Sequence, residues 1–114
     1  TKLILETLEE KFAHKERVPF DNLTIEHIMP QTLSEWWQNE LGAEWEETHD
    51  LFLHTIGNLT LTAYNTELSN DDFPTKKLTL KESHLELNKH FADIPNWTRN
   101  EIEKTSTAPR RLQK

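Results

Sequence analysis

At 114 residues the chain is long enough for one domain, but only 34% of it is apolar, so four Trp and five Phe must supply much of the core area. A formal net charge of −7 argues against a domain that grips nucleic acid by bulk electrostatics, which depends on Lys and Arg at phosphates. The absence of cysteine excludes disulfides, thiolate zinc sites and cysteine nucleophiles and fits a reducing, cytoplasmic setting; no apolar run reaches the roughly 18 residues of a membrane helix.

Leu5, Leu8 and Phe12 follow helical spacing, which predicts an amphipathic helix over Leu3 to Lys15 with Glu6, Glu9 and Glu10 on a solvated face. Val18 to Asn22 breaks it. Leu23 to Ile28 reads as a short strand, with Leu23, Ile25 and His27 on one face, ended by Pro30. Thr32 and Glu35 match a capping box, predicting a helix from Leu33 to Leu41 closed by Gly42. A second helix is expected from Glu44 to His54. After Gly57, Asn58 to Thr62 alternates polar and apolar residues like a strand. Short helices are expected over Ala63 to Ser69 and Pro74 to Lys81, and Ser83 to Phe91 leans helical. Thr98 and Glu101 form a capping box for a last helix, with Trp97 before it as a hydrophobic staple and residues 105–114 as a tail or truncated helix. The order is strand, long helical insertion, strand, helix: an α+β fold, mostly helical, in a single domain over 1–114. A start at Thr1 inside a helical pattern suggests part of a longer protein.

Polar residues gather where the first strand ends, where the second begins, and early in the following helix. Glu26 is a hard oxygen ligand suited to magnesium or manganese, and His27 beside it is the side chain best able to take a proton from water near pH 7. A metal-bound carboxylate beside a base is what phosphodiester hydrolysis needs. Asn58 can fix a loop by bonding backbone groups, or it is a turn Asn after Gly57. Asn65 can offer an amide oxygen to a metal, or it caps a helix. Lys76 and Lys77 either meet a phosphate or form a solvated face.

The stretches Thr24-Ile25-Glu26-His27-Ile28-Met29-Pro30-Gln31, Ile56-Gly57-Asn58-Leu59-Thr60-Leu61-Thr62 and Tyr64-Asn65 through Leu68-Ser69-Asn70, Phe73 and Lys76 carry a resemblance. They resemble the C-terminal nuclease domain of GmrSD-type modification-dependent restriction enzymes and related phage-defence proteins, a branch of the HNH, or His-Me finger, superfamily. The resemblance implies a ββα-metal core, a short two-stranded hairpin and a helix surrounded by additional helices. It implies a metal-dependent endonuclease that cleaves or nicks DNA in bacterial defence, with His27 as general base and Asn58 orienting the loop that bears it. Glu26 and Asn65 then hold Mg2+ or Mn2+. The implied partners are DNA and an N-terminal nucleotide-hydrolysing or recognition domain or subunit, which would supply the affinity that an acidic domain lacks. Glu26 stands where many such sites have Asp, the insertion between His27 and Asn58 is long, and cysteine zinc knuckles are missing.

Three further residues are candidates for the substrate side: His54, before Gly57-Asn58; Asn70, in a turn; and Lys76. Each has a plainer reading as a buried histidine, a local backbone cap and a solvated cation. His49 and His54 are spaced poorly for two ligands on one helix face. His14, His84 and His90 show no partner pattern. Of the adjacent Trp36 and Trp37, at least one should enter the core, beside Trp45 or Phe52. Two other readings stand beside the nuclease: an inactive nuclease-like scaffold that binds a partner protein, and a nuclease acting on RNA.

Overall fold

The computed structural model describes residues 2–10, 23–62, 70–82 and 85–107. Two strands, β1 (Thr24–His27) and β2 (Leu59–Thr62), pair antiparallel, with Glu26 opposite Thr60 and His27 opposite Leu59. Around them lie helices α1 (Lys2–Glu10), α2 (Glu35–Leu41), α3 (Trp45–Phe52), α4 (Phe73–Leu80), α5 (Glu86–Lys89) and α6 (Arg99–Thr107), with 3₁₀ turns at Ile56–Asn58 and His90–Asp93. The fold is α+β and mostly helical, and α2 and α3 form the insertion between the two strands of a ββα-type core. The helix expected at 63–69, the continuation of the first helix to Lys15 and the break at 18–22 lie outside the described residues, as do His14, His84 and the tail beyond Thr107.

Two apolar clusters sandwich the polar motif. One gathers Ile28, Met29, Trp37, Phe73, Leu80, Phe91, Trp97 and Ile102. The other joins Leu5 of α1 to Leu59 and Leu61 of β2 and to Leu85 and Leu87. Trp37 is the tryptophan of the adjacent pair that is fully buried; Phe52 packs against its cluster and Trp36 is half-buried. Its indole N–H donates to the Asp71 carbonyl at 2.9 Å, meeting the need of a buried indole for an acceptor.

Several local expectations are corrected. Glu9 is not on a solvated face: it is fully buried, and its Oε1 accepts the Leu87 N–H at 2.9 Å. That N–H lies in the first turn of α5, where helices leave donors without intrahelical partners. β2 is buried at all four positions, its two threonines included. Its polar side is closed by Asn88, which accepts the Thr60 hydroxyl and donates to the Leu61 carbonyl at 2.9 Å. In β1 the buried position is Glu26, not Ile25. Among the described residues of the stretch 83–91, the α-helix is the short α5, followed by 3₁₀ backbone from His90.

Helix α2 starts at Glu35, and its cap is Ser34 rather than Thr32; Ser34 Oγ accepts the Trp37 N–H at 3.4 Å. The phase of the helix follows Trp37, which must reach the core. Ser34→Ala is expected to lower stability by about 0.5–1 kcal/mol, the low end for a cap this long, with activity unaffected, as read by urea unfolding. Gly42 closes α2 at φ 91°, a left-handed conformation that favours glycine, and its N–H donates to Gln38 O at 3.0 Å. At the start of α6, Glu101 Oε1 accepts both the Thr98 N–H, at 2.8 Å, and the Thr98 hydroxyl.

Gly57 decides how α6 meets the rest. A Cβ there would fall 2.2 Å from both Ile102 O and Ser106 Oγ, and the Gly57 N–H donates to Ser106 Oγ at 2.9 Å. Absence of a side chain lets the last helix lie directly on the 3₁₀ turn that delivers Asn58.

Candidate active site

β1 ends at His27, and the chain then turns through Ile28 and Met29, both fully buried. The Ile28 N–H donates to Asn58 O at 2.9 Å, so the end of β1 is stitched to the start of β2.

Asn58 is fully buried and its amide is saturated. Oδ1 accepts the Met29 N–H at 2.8 Å and the Trp97 indole N–H at 2.9 Å. Nδ2 donates to Met29 O at 3.0 Å and to Leu53 O at 2.9 Å. Two donors fix the oxygen and two carbonyls fix the nitrogen, so the amide has one orientation. The side chain grips both backbone groups of Met29, two residues after His27.

The His27 ring is half-buried. Its Nε2 lies 3.1 Å from Nδ1 of the exposed His54, just beyond the end of α3, and the rings meet edge to face. Among the described residues Nδ1 of His27 has no hydrogen-bond partner. Burial, and then the nearby His54, Lys76 and His49, hold the ring's pKa down to about 4. The imidazole is therefore neutral at neutral pH. If its Nε2 carries the proton and donates to His54, the Nδ1 lone pair is left facing outward. His49 takes a different place: its Nε2 donates to Pro30 O at 3.1 Å and steadies the turn beyond His27.

Glu26 points to the other side of β1 and is only 3% exposed. Its Oε2 lies 2.9 Å from Lys76 Nζ. Lys76, reaching from α4, is fully buried, and the same Nζ donates to His27 O at 2.7 Å and Ile28 O at 3.0 Å. Burial pushes the Glu26 carboxyl up and the Lys76 ammonium down, while their mutual attraction opposes both. Three acceptors around one nitrogen need three N–H bonds, so Lys76 is an ammonium. Neither residue was legible in this role: Lys76, a candidate for touching substrate or a solvated cation, lies beneath the His27 loop as a buried pin.

Asn70 is exposed in the turn before α4. Asn65 lies outside the described residues. Trp97, expected as a staple, shares its cluster with Ile102, as a staple would, and also reaches Asn58. A buried indole always calls for an acceptor, but the sequence does not say which one.

Among the described residues no three His, Asp or Glu side chains form a metal cluster. The fit of a divalent ion therefore turns on Glu26. Its Oε2 is taken by the Lys76 ammonium, and among the described residues no donor meets its Oε1. A hard cation suits that oxygen.

A family model described as GmrSD restriction endonucleases, C-terminal domain, matches residues 1–109. No curated protein and no solved structure matches the chain.

Proposed function

Because the chain belongs to the family of GmrSD restriction endonuclease C-terminal domains, we propose that it hydrolyses DNA phosphodiester bonds by a metal-dependent, HNH-type mechanism, with His27 as general base. The family carries the nuclease assignment. The observation that supports the mechanism is the His27 ring, neutral and half-exposed at the end of a strand whose following loop is held on both sides.

Nδ1 of His27 takes the proton of the attacking water, while Nε2 stays on His54. A ring held near 4 is a weak base alone. A phosphate brought beside it adds negative charge, which raises its proton affinity toward the useful range. Glu26, through Oε1, and Asn65 would hold Mg2+ or Mn2+. Such an ion, when bound, supplies positive charge to the scissile phosphate and the leaving 3′ oxygen. Asn58 keeps the Met29 backbone, and with it the His27 loop, in register. His54 and Asn70, both exposed, would meet the DNA. A net charge of −7 assigns DNA affinity elsewhere, to an N-terminal nucleotide-hydrolysing or recognition domain or subunit, as bacterial defence against modified DNA would require.

The test is nicking of supercoiled plasmid by the full-length protein. Cutting is expected with Mg2+ or Mn2+ and is expected to vanish when EDTA is added. Undiminished cutting in excess chelator would overturn the metal requirement. A protein that cuts nothing with either ion present would favour the scaffold reading.

A further inference from the structure

We infer that Trp97 is a positioning residue for the His27 loop, acting through Asn58; the inference rests on the nuclease reading above. Asn58 has two acceptor sites on Oδ1, and the Met29 N–H fills one. The Trp97 indole N–H, at 2.9 Å, fills the other. Both groups are fully buried, so no bulk water competes. With the indole in place the amide oxygen is held between two donors and cannot pivot about its Cβ–Cγ bond. Without it, Oδ1 answers to a single donor while Nδ2 keeps Met29 O and Leu53 O, so the amide is held less tightly and the grip on Met29 loosens two residues from the base.

The indole itself is locked. It stacks on Phe73, with ring centres 5.5 Å apart at 26°, and meets Phe91 edge-on at 5.1 Å. Its backbone N–H donates to Glu40 Oε2 at 3.0 Å. The geometry therefore runs from the rigid aromatic centre of the core, through one side-chain hydrogen bond, to the Asn58 amide and then to the backbone of the His27 loop. Ordinary packing would not require the N–H edge to face Asn58. A buried indole needs some acceptor, and here the acceptor is the amide that also holds Met29.

The experiment compares Trp97→Phe with Leu80→Ala in the full-length protein; Leu80 is a buried member of the same cluster. The first keeps an aromatic ring between Phe73 and Phe91 but deletes the N–H. The second damages the same cluster and leaves the indole on Asn58. Trp97→Phe is expected to lower kcat for plasmid nicking about tenfold at unchanged KM, because small misplacements of a reacting group act on turnover. Hydrogen–deuterium exchange of the peptide carrying Met29 should quicken in the same variant. Leu80→Ala should lower the melting temperature at least as much and change neither readout. Wild-type turnover and exchange in Trp97→Phe would overturn the inference, as would equal slowing in both variants. Should Trp97→Phe not fold, β-(3-benzothienyl)alanine installed at position 97 keeps the ring area with sulfur in place of N–H and gives the same reading. If the wild-type protein cuts no DNA, the nuclease reading has failed, and the exchange rate at Met29 alone decides whether Trp97 holds the loop.

Discussion

His27→Ala is expected to slow DNA cleavage by about 10²–10⁴-fold, the range for loss of a positioned general base, while the protein stays folded. Of the two ring nitrogens, Nε2 is occupied by His54, and Nδ1 has no partner among the described residues. The ring is neutral because burial and three neighbouring cations or histidines disfavour the imidazolium. No other described imidazole combines these traits: His49 is spent on Pro30 O, and His90 lies against Thr105. The half-buried ring contributes little packing, so the melting temperature should barely move. Single-turnover nicking at saturating protein separates the chemical step from binding. His54→Ala should slow the reaction far less, since it frees the ring to rotate but leaves the base. A folded His27→Ala protein that cuts at the wild-type rate would end the mechanism.

The second large effect is on stability. Lys76→Met should destabilise the fold by about 3–5 kcal/mol, the cost of stranding one member of a buried ion pair. Typical folds hold only about 5–15 kcal/mol in total, so much of this protein would unfold on modest heating. The reason is local. The ammonium is fully buried and serves Glu26, His27 O and Ile28 O together. Methionine fills the volume but leaves a carboxylate and two carbonyls without that donor. The sign with pH follows from Glu26, whose carboxyl burial already pushes up. Without Lys76 it rises further, so the variant's deficit is full above that raised value and shrinks as acid protonates the group. Adding Glu26→Gln to Lys76→Met should recover part of the loss, because the stranded charge is gone. Urea unfolding at neutral and acidic pH measures all of this. If Lys76→Met melts like the wild type and only weakens DNA binding, Lys76 is a phosphate contact after all and the buried pin is wrong.

What could be read from the sequence was whatever repeats locally. The two strands, to within a residue or two at their ends, and the helices flanked by Gly42 or opened by Thr98 follow from turn chemistry and spacing. The motif order also sufficed for the family. What could not be read was pairing across distance. Glu26 looks like any acidic neighbour of a histidine until Lys76, fifty positions on, is folded beneath it. Asn58 looks like a turn residue until Met29, Leu53 and Trp97 close around its amide. Glu9 satisfies helical periodicity on an outer face, yet the first-turn N–H of α5 draws it inside. Alternation marks β2 as a strand, but it does not reveal that Asn88 closes over Thr60 and Leu61. Asn65, central to the motif, lies outside the described residues.

The Glu9–Leu87 bond has a bearing on how the chain reaches this state. It spans 78 positions, and the cluster holding Leu5 takes its other fully buried members from β2 and from Leu85 and Leu87, with Leu23 and Ile25 packed against them. During synthesis from the N-terminus, the first helix emerges with neither its apolar side nor its inward carboxylate satisfied. Among the described residues the donor to Glu9 and the buried partners of Leu5 come from residue 59 onward, so α1 must wait for segments made much later. Loop-closure entropy for contacts this remote must be met before they stabilise anything, which makes assembly slower than the high helix content suggests. Until then Leu5 is one of the surfaces a nascent chain has to keep from its neighbours.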